Sequence, residues 1–253
     1  MVDKDTNGKA KFHQIDPWHM MHLGVGKSWS ASGLMLLQEQ VDEPNQDLRI
    51  AVLSNEYKQF CKRAKLVAHI KKIDRYTLGG GGSNEPNGTW NKASVTSNML
   101  LFLEDYCNRN SEILKGNQQL EIFAKGTQKI NQFFRGIYSE GVFIAGPKGL
   151  TLSSALRDFI QTYVCEAALS HENGCNYFPL FPKLHFLHEL SHQMRRQCQL
   201  ANVCMNPASM SCSIDEDFIG RLATLTRCVS PRLCALRTLQ RYLCHIQLAW
   251  AHK

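Results

Sequence analysis

Two stretches of this chain carry residue types at spacings suited to chemistry. The first runs Asp16-Pro17-Trp18-His19-Met20-Met21-His22-Leu23-Gly24-Val25-Gly26-Lys27-Ser28, with His13 just before it. His13, His19 and His22 around Asp16 supply imidazole and carboxylate, the ligand types of a metal site. The end of the stretch, Gly24-Val25-Gly26-Lys27-Ser28, has the glycines and lysine of the back half of a phosphate-binding loop. That loop needs a further glycine where Met21 stands, and the bulky run Trp18–Leu23 crowds the backbone N–H groups that would wrap a phosphate. The better expectation is a turn that opens a helix, with the histidines packed rather than metal-bound. The second stretch, His188-Glu189-Leu190-Ser191-His192, is a complete H-E-x-x-H match. On a helix this spacing puts both imidazoles on one face, where they would ligate Zn2+ while Glu189 acts as base toward a water. Arg195 breaks the metzincin continuation, so a third ligand would come from elsewhere, with Glu216 on a later helix as the candidate. A zinc metallopeptidase using His188, His192 and Glu189 is therefore one alternative function, and a helical interaction domain without catalysis is another.

The elements that must position these groups are mostly helices. Apolar residues recur at three and four spacing over Ser28–Val41, Glu56–Ile73, Ala93–Leu114, Leu120–Tyr138, Leu152–Ser170, Leu184–Leu200, Asp215–Arg227 and Pro231–Ala249. Ser230-Pro231 marks a helix start, with serine as cap and proline in the first turn. Only Ala10–Ile15, and ambiguously Lys65–Ile73, read as strands. The run Gly79–Gly88 is a loop, and a second break falls at Ala201–Ser213.

Composition narrows the classes. The chain has 253 residues, 43% hydrophobic and 20% charged, which suits an ordinary globular protein able to bury a sizeable core. It has no apolar run long enough to span a membrane, and its first residues are polar, unlike a secretory signal. Ten cysteines without one Cys-x-x-Cys pair point to reduced, mostly buried thiols. The expectation is an intracellular protein, nuclear or cytoplasmic, not secreted and not membrane-bound. The net charge of +7 is concentrated: residues 218–253 hold Arg221, Arg227, Arg232, Arg237, Arg241 and Lys253, and no acid. Such a surface favours a polyanion, of which nucleic acid is the commonest, or else is a solvated helical face.

Five segments, in order, resemble a transposase-derived family of the RNase H-like (DDE) superfamily, with the layout of Plavaka and KDZ-type elements. They are Asp16-x-x-His19-x-x-His22-x-Gly24-Val25-Gly26-Lys27, Asn87-Gly88-Thr89-Trp90-Asn91-Lys92-Ala93, Phe181-Pro182-Lys183-Leu184-His185-Phe186, Asp215-Glu216-Asp217-Phe218-Ile219-Gly220 and Val229-Ser230-Pro231-Arg232. The resemblance covers about Lys11 to Leu243. It implies a carboxylate site holding two Mg2+ or Mn2+ ions for phosphodiester transfer. Asp16 would be the second ligand, at a strand end, and Glu216, or Asp217 in its place, the third, on a helix. The basic helices would face DNA through Arg221, Arg227, Arg232, Arg237 and Arg241. The family's first aspartate has no counterpart in the polar leader before Asp16, which holds only Asp3 and Asp5. The implied protein is N-terminally incomplete, catalytically incomplete and nucleic-acid-binding. Its fold class is mainly α, with a partial RNase H-like α/β core, first strands missing, and a large helical insertion. The implied pieces are 1–78 (partial core), 79–92 (glycine-rich loop), 93–213 (helical insertion) and 214–253 (basic C-terminal helices). Asp16 and Asp215–Asp217 also suit plain helix N-termini, where carboxylates cap and oppose the dipole.

Overall fold

Short polar side chains start several of the helices by accepting the unpaired N–H groups of a first turn. Asp16 accepts from Trp18 N–H at 2.8 Å and opens α1 (Pro17–Met20). Asn45 accepts from Leu48 N–H at 2.9 Å and opens α3 (Gln46–Arg63), following α2 (Gly26–Leu37). Asp74 does the same for the single turn α4 (Arg75–Leu78), and Asn117 for α7 (Gln118–Ser139). Between them run α5 (Ala93–Arg109) and the short α6 (Ser111–Leu114). Proline stands in the first turn of α1, of α8 (Gly146–Glu172) and of α9 (Pro182–Ala201), where its missing N–H costs nothing. This computed structural model describes residues 15–79, 85–227 and 229–251, without the side chains at 213–217, 231 and 249.

Residues 1–210 and 211–253 are two units. The first is organised on Trp29 of α2, which is fully buried. Its ring stacks on Phe123 at 5.0 Å and meets Phe159, Tyr163 and Phe178 at 5.1, 5.6 and 5.1 Å. Its indole N–H donates to Thr127 Oγ1 at 3.0 Å, so the one polar atom of the ring is satisfied. Burying an aromatic of this size contributes roughly 4–6 kcal/mol before entropy is counted. Gly33, one turn along α2, lets Phe123 lie against the backbone: a Cβ there would fall 2.0 Å from the ring. A second cluster joins α3 to α5 through Tyr57, Phe60, Phe102 and Tyr106. One short antiparallel pair, β1 (Phe143–Ala145) with β2 (Val203–Met205), ties the α7–α8 turn to the end of α9, with Ile144 opposite Cys204.

The second unit is a helical hairpin, α10 (Ser213–Thr226) and α11 (Cys234–Ala251), the latter preceded by a 3-10 turn at Pro231–Leu233. Phe218 and Tyr242 cross edge-on at 5.6 Å, and Arg241 donates to the Leu225 carbonyl at 2.9 Å.

The mainly helical expectation holds. The RNase H-like sheet does not appear: among the described residues the only sheet is the β1–β2 pair, three residues a strand. The strand expected at Ala10–Ile15 lies outside the described residues except for Ile15, which is irregular. The helix expected at Glu56–Ile73 starts ten residues earlier, behind the Asn45 cap, and stops at Arg63. Lys65 there turns left-handed, at φ 54°, and 66–73 forms neither helix nor strand. Among the described residues one hydrophobic core draws on both the 1–78 and the 93–213 pieces. Nine of the ten cysteines are described, none of them in a disulfide; four are buried and two exposed, fewer buried than expected.

Candidate functional site: a lysine-pinned helix junction and a basic hairpin

Between α1 and α2 the chain does not form a phosphate loop. Met21–Val25 is a widened turn with non-helical backbone at Leu23 and Gly24. The carbonyls of His19 and Leu23 turn toward Lys183, whose ammonium donates to them at 3.3 and 3.1 Å. The turn therefore presents acceptors to a cation, the opposite polarity to a cradle for an anion. Gly24 is needed for this approach, since a Cβ would stand 2.4 Å from Lys183 Cδ. Lys183 sits in the first turn of α9, where the helix dipole opposes a cation, and the two carbonyls compensate it. Lys27, half-buried on α2, is held below the ordinary lysine range by burial and by the charge of Lys183.

Of the histidines of this stretch His22 is packed as expected, whereas His19 stays half-exposed beside Asp16; His13 lies outside the described residues. His22 is buried, its ring 4.6 Å from Phe134, its Nε2 3.4 Å from Tyr138 Oη and its Nδ1 3.4 Å from Ser97 Oγ. Burial pulls its pKa down to about 4 against the attraction of Asp16, so it is neutral at pH 7. Burial and the Asp16 charge push the Tyr138 phenol upward. Thr96 accepts from the Trp90 indole at 2.8 Å and donates to the His22 carbonyl at 2.6 Å. Ser28 donates to Asn87 at 3.0 Å. Three of the five segments quoted above, around Asp16–Lys27, Asn87–Ala93 and Phe181–Phe186, thus meet at one junction.

Asp16 is committed at this junction. One carboxylate oxygen caps Trp18 N–H and the other lies 2.5 Å from His19 Nδ1. Instead of ending a strand it begins a helix. Within residues 15–210 no second carboxylate joins it in a metal-ligating cluster among the described residues. Glu216 and Asp217 lie on α10, and their side chains are outside those described.

His188 and His192 do share one face of α9, their rings 4.5 Å apart, with His192 exposed and His188 half-buried. Among the described residues no third His, Cys, Asp or Glu completes a metal-ligating cluster with them. The pair alone lacks the three protein ligands a catalytic Zn2+ requires.

In the hairpin, Arg221, Arg227, Arg232, Arg237 and Arg241 are all exposed. Arg237 reaches Gln240 at 3.1 Å and Arg241 clips α11 to α10. No acidic residue follows Asp217 in the sequence, while Asp215, Glu216 and Asp217 stand at the start of the same hairpin.

Sequence reasoning missed two groups. One is Lys183 as the pin of the junction, for which a lysine in a helix's first turn is the available signal. The other is Glu166 of α8, fully buried, with neither carboxylate oxygen hydrogen-bonded among the described residues. Burial pushes its pKa up to about 8, and the nearby Gln119 amide offsets only part of that.

Comparison with family models, with curated proteins and with solved structures finds no match in any of the three. No helix among the described residues is long and apolar enough to cross a membrane.

Proposed function

We propose that this chain is a nucleic-acid-binding protein that holds the phosphate backbone through its C-terminal helices, and that it descends from an RNase H-like transposase without retaining catalysis. The observation that carries the reading is the hairpin's charge: Arg221, Arg227, Arg232, Arg237 and Arg241 are exposed on a segment with no acid after Asp217. Guanidinium groups recognise phosphate by charge and by paired N–H donors, without reading sequence. The ancestry is supported by the ordered segments and by the meeting of three of them at the Lys183 junction. Absence of catalysis is supported by Asp16, whose two oxygens serve a helix cap and His19.

Fluorescence anisotropy of a labelled DNA duplex titrated across salt tests the binding. The expected result is a steep fall of affinity with salt, and a slope lower by roughly 0.9 for each phosphate contact removed in R227Q/R232Q/R237Q. Salt-insensitive binding, or a triple variant that binds like the parent, would defeat the reading.

A further inference from the structure

We infer that two copies of this chain associate through the C-terminal unit, α11 against α11, closing two hairpins into a four-helix bundle. Among the described residues of 211–251 none is buried. Two helices of 14 and 18 residues therefore form a hairpin without an enclosed core. Helices of this length draw their stability from packing an apolar face, not from propensity. The half-buried positions Cys234, Thr238, Tyr242 and Ile246 recur every four residues on the side where Tyr242 meets Phe218 of α10.

A second apolar stripe stays uncovered. Leu236, Leu239, Leu243 and Trp250 are 54%, 56%, 55% and 74% exposed. With Ile246 they space as 3, 4, 3 and 4, the seam of a helix that packs along another helix. At about 100° per residue the four exposed side chains fall within about 60° of one another. Monomeric proteins rarely leave so continuous an apolar strip in water.

Charge placement selects the occupant. Arg237 and Arg241 lie about 130° and 170° around α11 from the stripe, and the residues beside it, Gln240 and Gln247, are uncharged. Two identical, strongly basic surfaces can thus meet along the stripe without bringing arginines face to face. An anionic membrane or an acidic partner would be served by arginines beside the stripe, not behind it. The pairing would leave both arginine faces outward, and it is independent of whether they bind nucleic acid.

Analytical ultracentrifugation of the full chain decides this. The expected result is a species of twice the chain mass at micromolar concentration that dissociates on dilution. L239Q/L243Q should weaken association roughly tenfold or more, while R227Q/R232Q/R237Q leaves the mass unchanged. Unaltered near-ultraviolet circular dichroism would show that L239Q/L243Q keeps the first unit folded. If that pair of changes disturbs it, the single variant Trp250→Gln carries the same expectation in weaker form. A parent chain that is monomeric at every concentration would overturn the inference, as would a dimer indifferent to L239Q/L243Q and Trp250→Gln. So would a monomeric parent that co-sediments with phosphatidylserine vesicles. Loss of DNA binding in R227Q/R232Q/R237Q with the dimer intact bears on the proposed function alone.

Discussion

The two units handle the same materials in opposite ways. In the first, Trp29 is enclosed by four aromatic rings and its N–H is bonded to Thr127, and Ser32, Thr96 and Asn131 spend their polar atoms on buried backbone groups. In the second, Trp250 is 74% exposed, and the leucines of α11 face outward with it. The first unit's helices pack on several others at once, so each apolar stripe finds a cover. A two-helix hairpin covers one stripe per helix and leaves any second one open. Charge follows the same division. Arg109 of the first unit is paired with Glu56 and Asp105 at 3.0 and 2.9 Å, whereas Arg237 and Arg241 of the hairpin bond to neutral groups, Gln240 and the Leu225 carbonyl.

Matched substitutions would break or sharpen that contrast. Trp29→Ala is expected to cost about 3–5 kcal/mol in urea or thermal unfolding, the range for emptying a buried aromatic site. Trp250→Ala should leave the unfolding of the first unit within about 0.5 kcal/mol of the parent. Equal losses at the two tryptophans would mean that the hairpin is as enclosed as the core.

A smaller effect comes from two buried groups of the first unit that titrate in opposite senses. Glu166 has its folded pKa raised to about 8, so the folded state holds a proton that the unfolded chain releases, and stability falls as pH rises toward 8. His22 has its folded pKa lowered to about 4, so its contribution is lost as pH falls from about 6.5 toward 4. From about 4.5 to 6.5 the two slopes oppose each other; above that only Glu166 acts, and stability should decline. Urea midpoints at pH 6.5 and 8 check this. Glu166→Gln should flatten the decline and raise stability at pH 8 by about 1 kcal/mol or more. An unchanged slope in that variant would show that the carboxyl is not the cause.

The smallest effect separates a cap from a metal ligand. Asp16→Ala should cost about 1 kcal/mol of stability, and Asp16→Asn only a few tenths, because asparagine also caps. Both should leave stability in Mg2+ indistinguishable from stability in chelator. A Mg2+-dependent gain in the parent that Asp16→Asn abolishes would restore the carboxylate to a metal-binding role.

The helices were legible because a buried face repeats every three to four residues, and that repeat survives whatever the face packs on. Their ends were legible only where a cap was recognised. Asn45 adds ten residues to α3 relative to the periodic run, and Lys65 ends it where the pattern alone would continue. The glycines of Gly24-Val25-Gly26 announced a turn, but its polarity was not legible. Which backbone groups face a ligand depends on Leu23 and Gly24 dihedrals and on Lys183, about 160 residues away in the chain. Asp16 looked equally like a cap and a catalytic carboxylate, since both uses need an acid at the start of an element. Glu166 was invisible, because an acid within a helical repeat normally marks the solvated face.

By itself the sequence determined a mainly helical chain, a turn before α2, a His22 that packs, and a C-terminal stretch with basic residues and no acid. These are local properties, fixed by residue type and short spacing. Only the tertiary structure decided that Asp16 serves a cap, that Lys183 fills the would-be phosphate loop, and that Glu166 is buried. It also decided that one stripe of α11 is left facing water. Each of these depends on what a distant segment brings into contact, and the one-dimensional pattern carries no record of that.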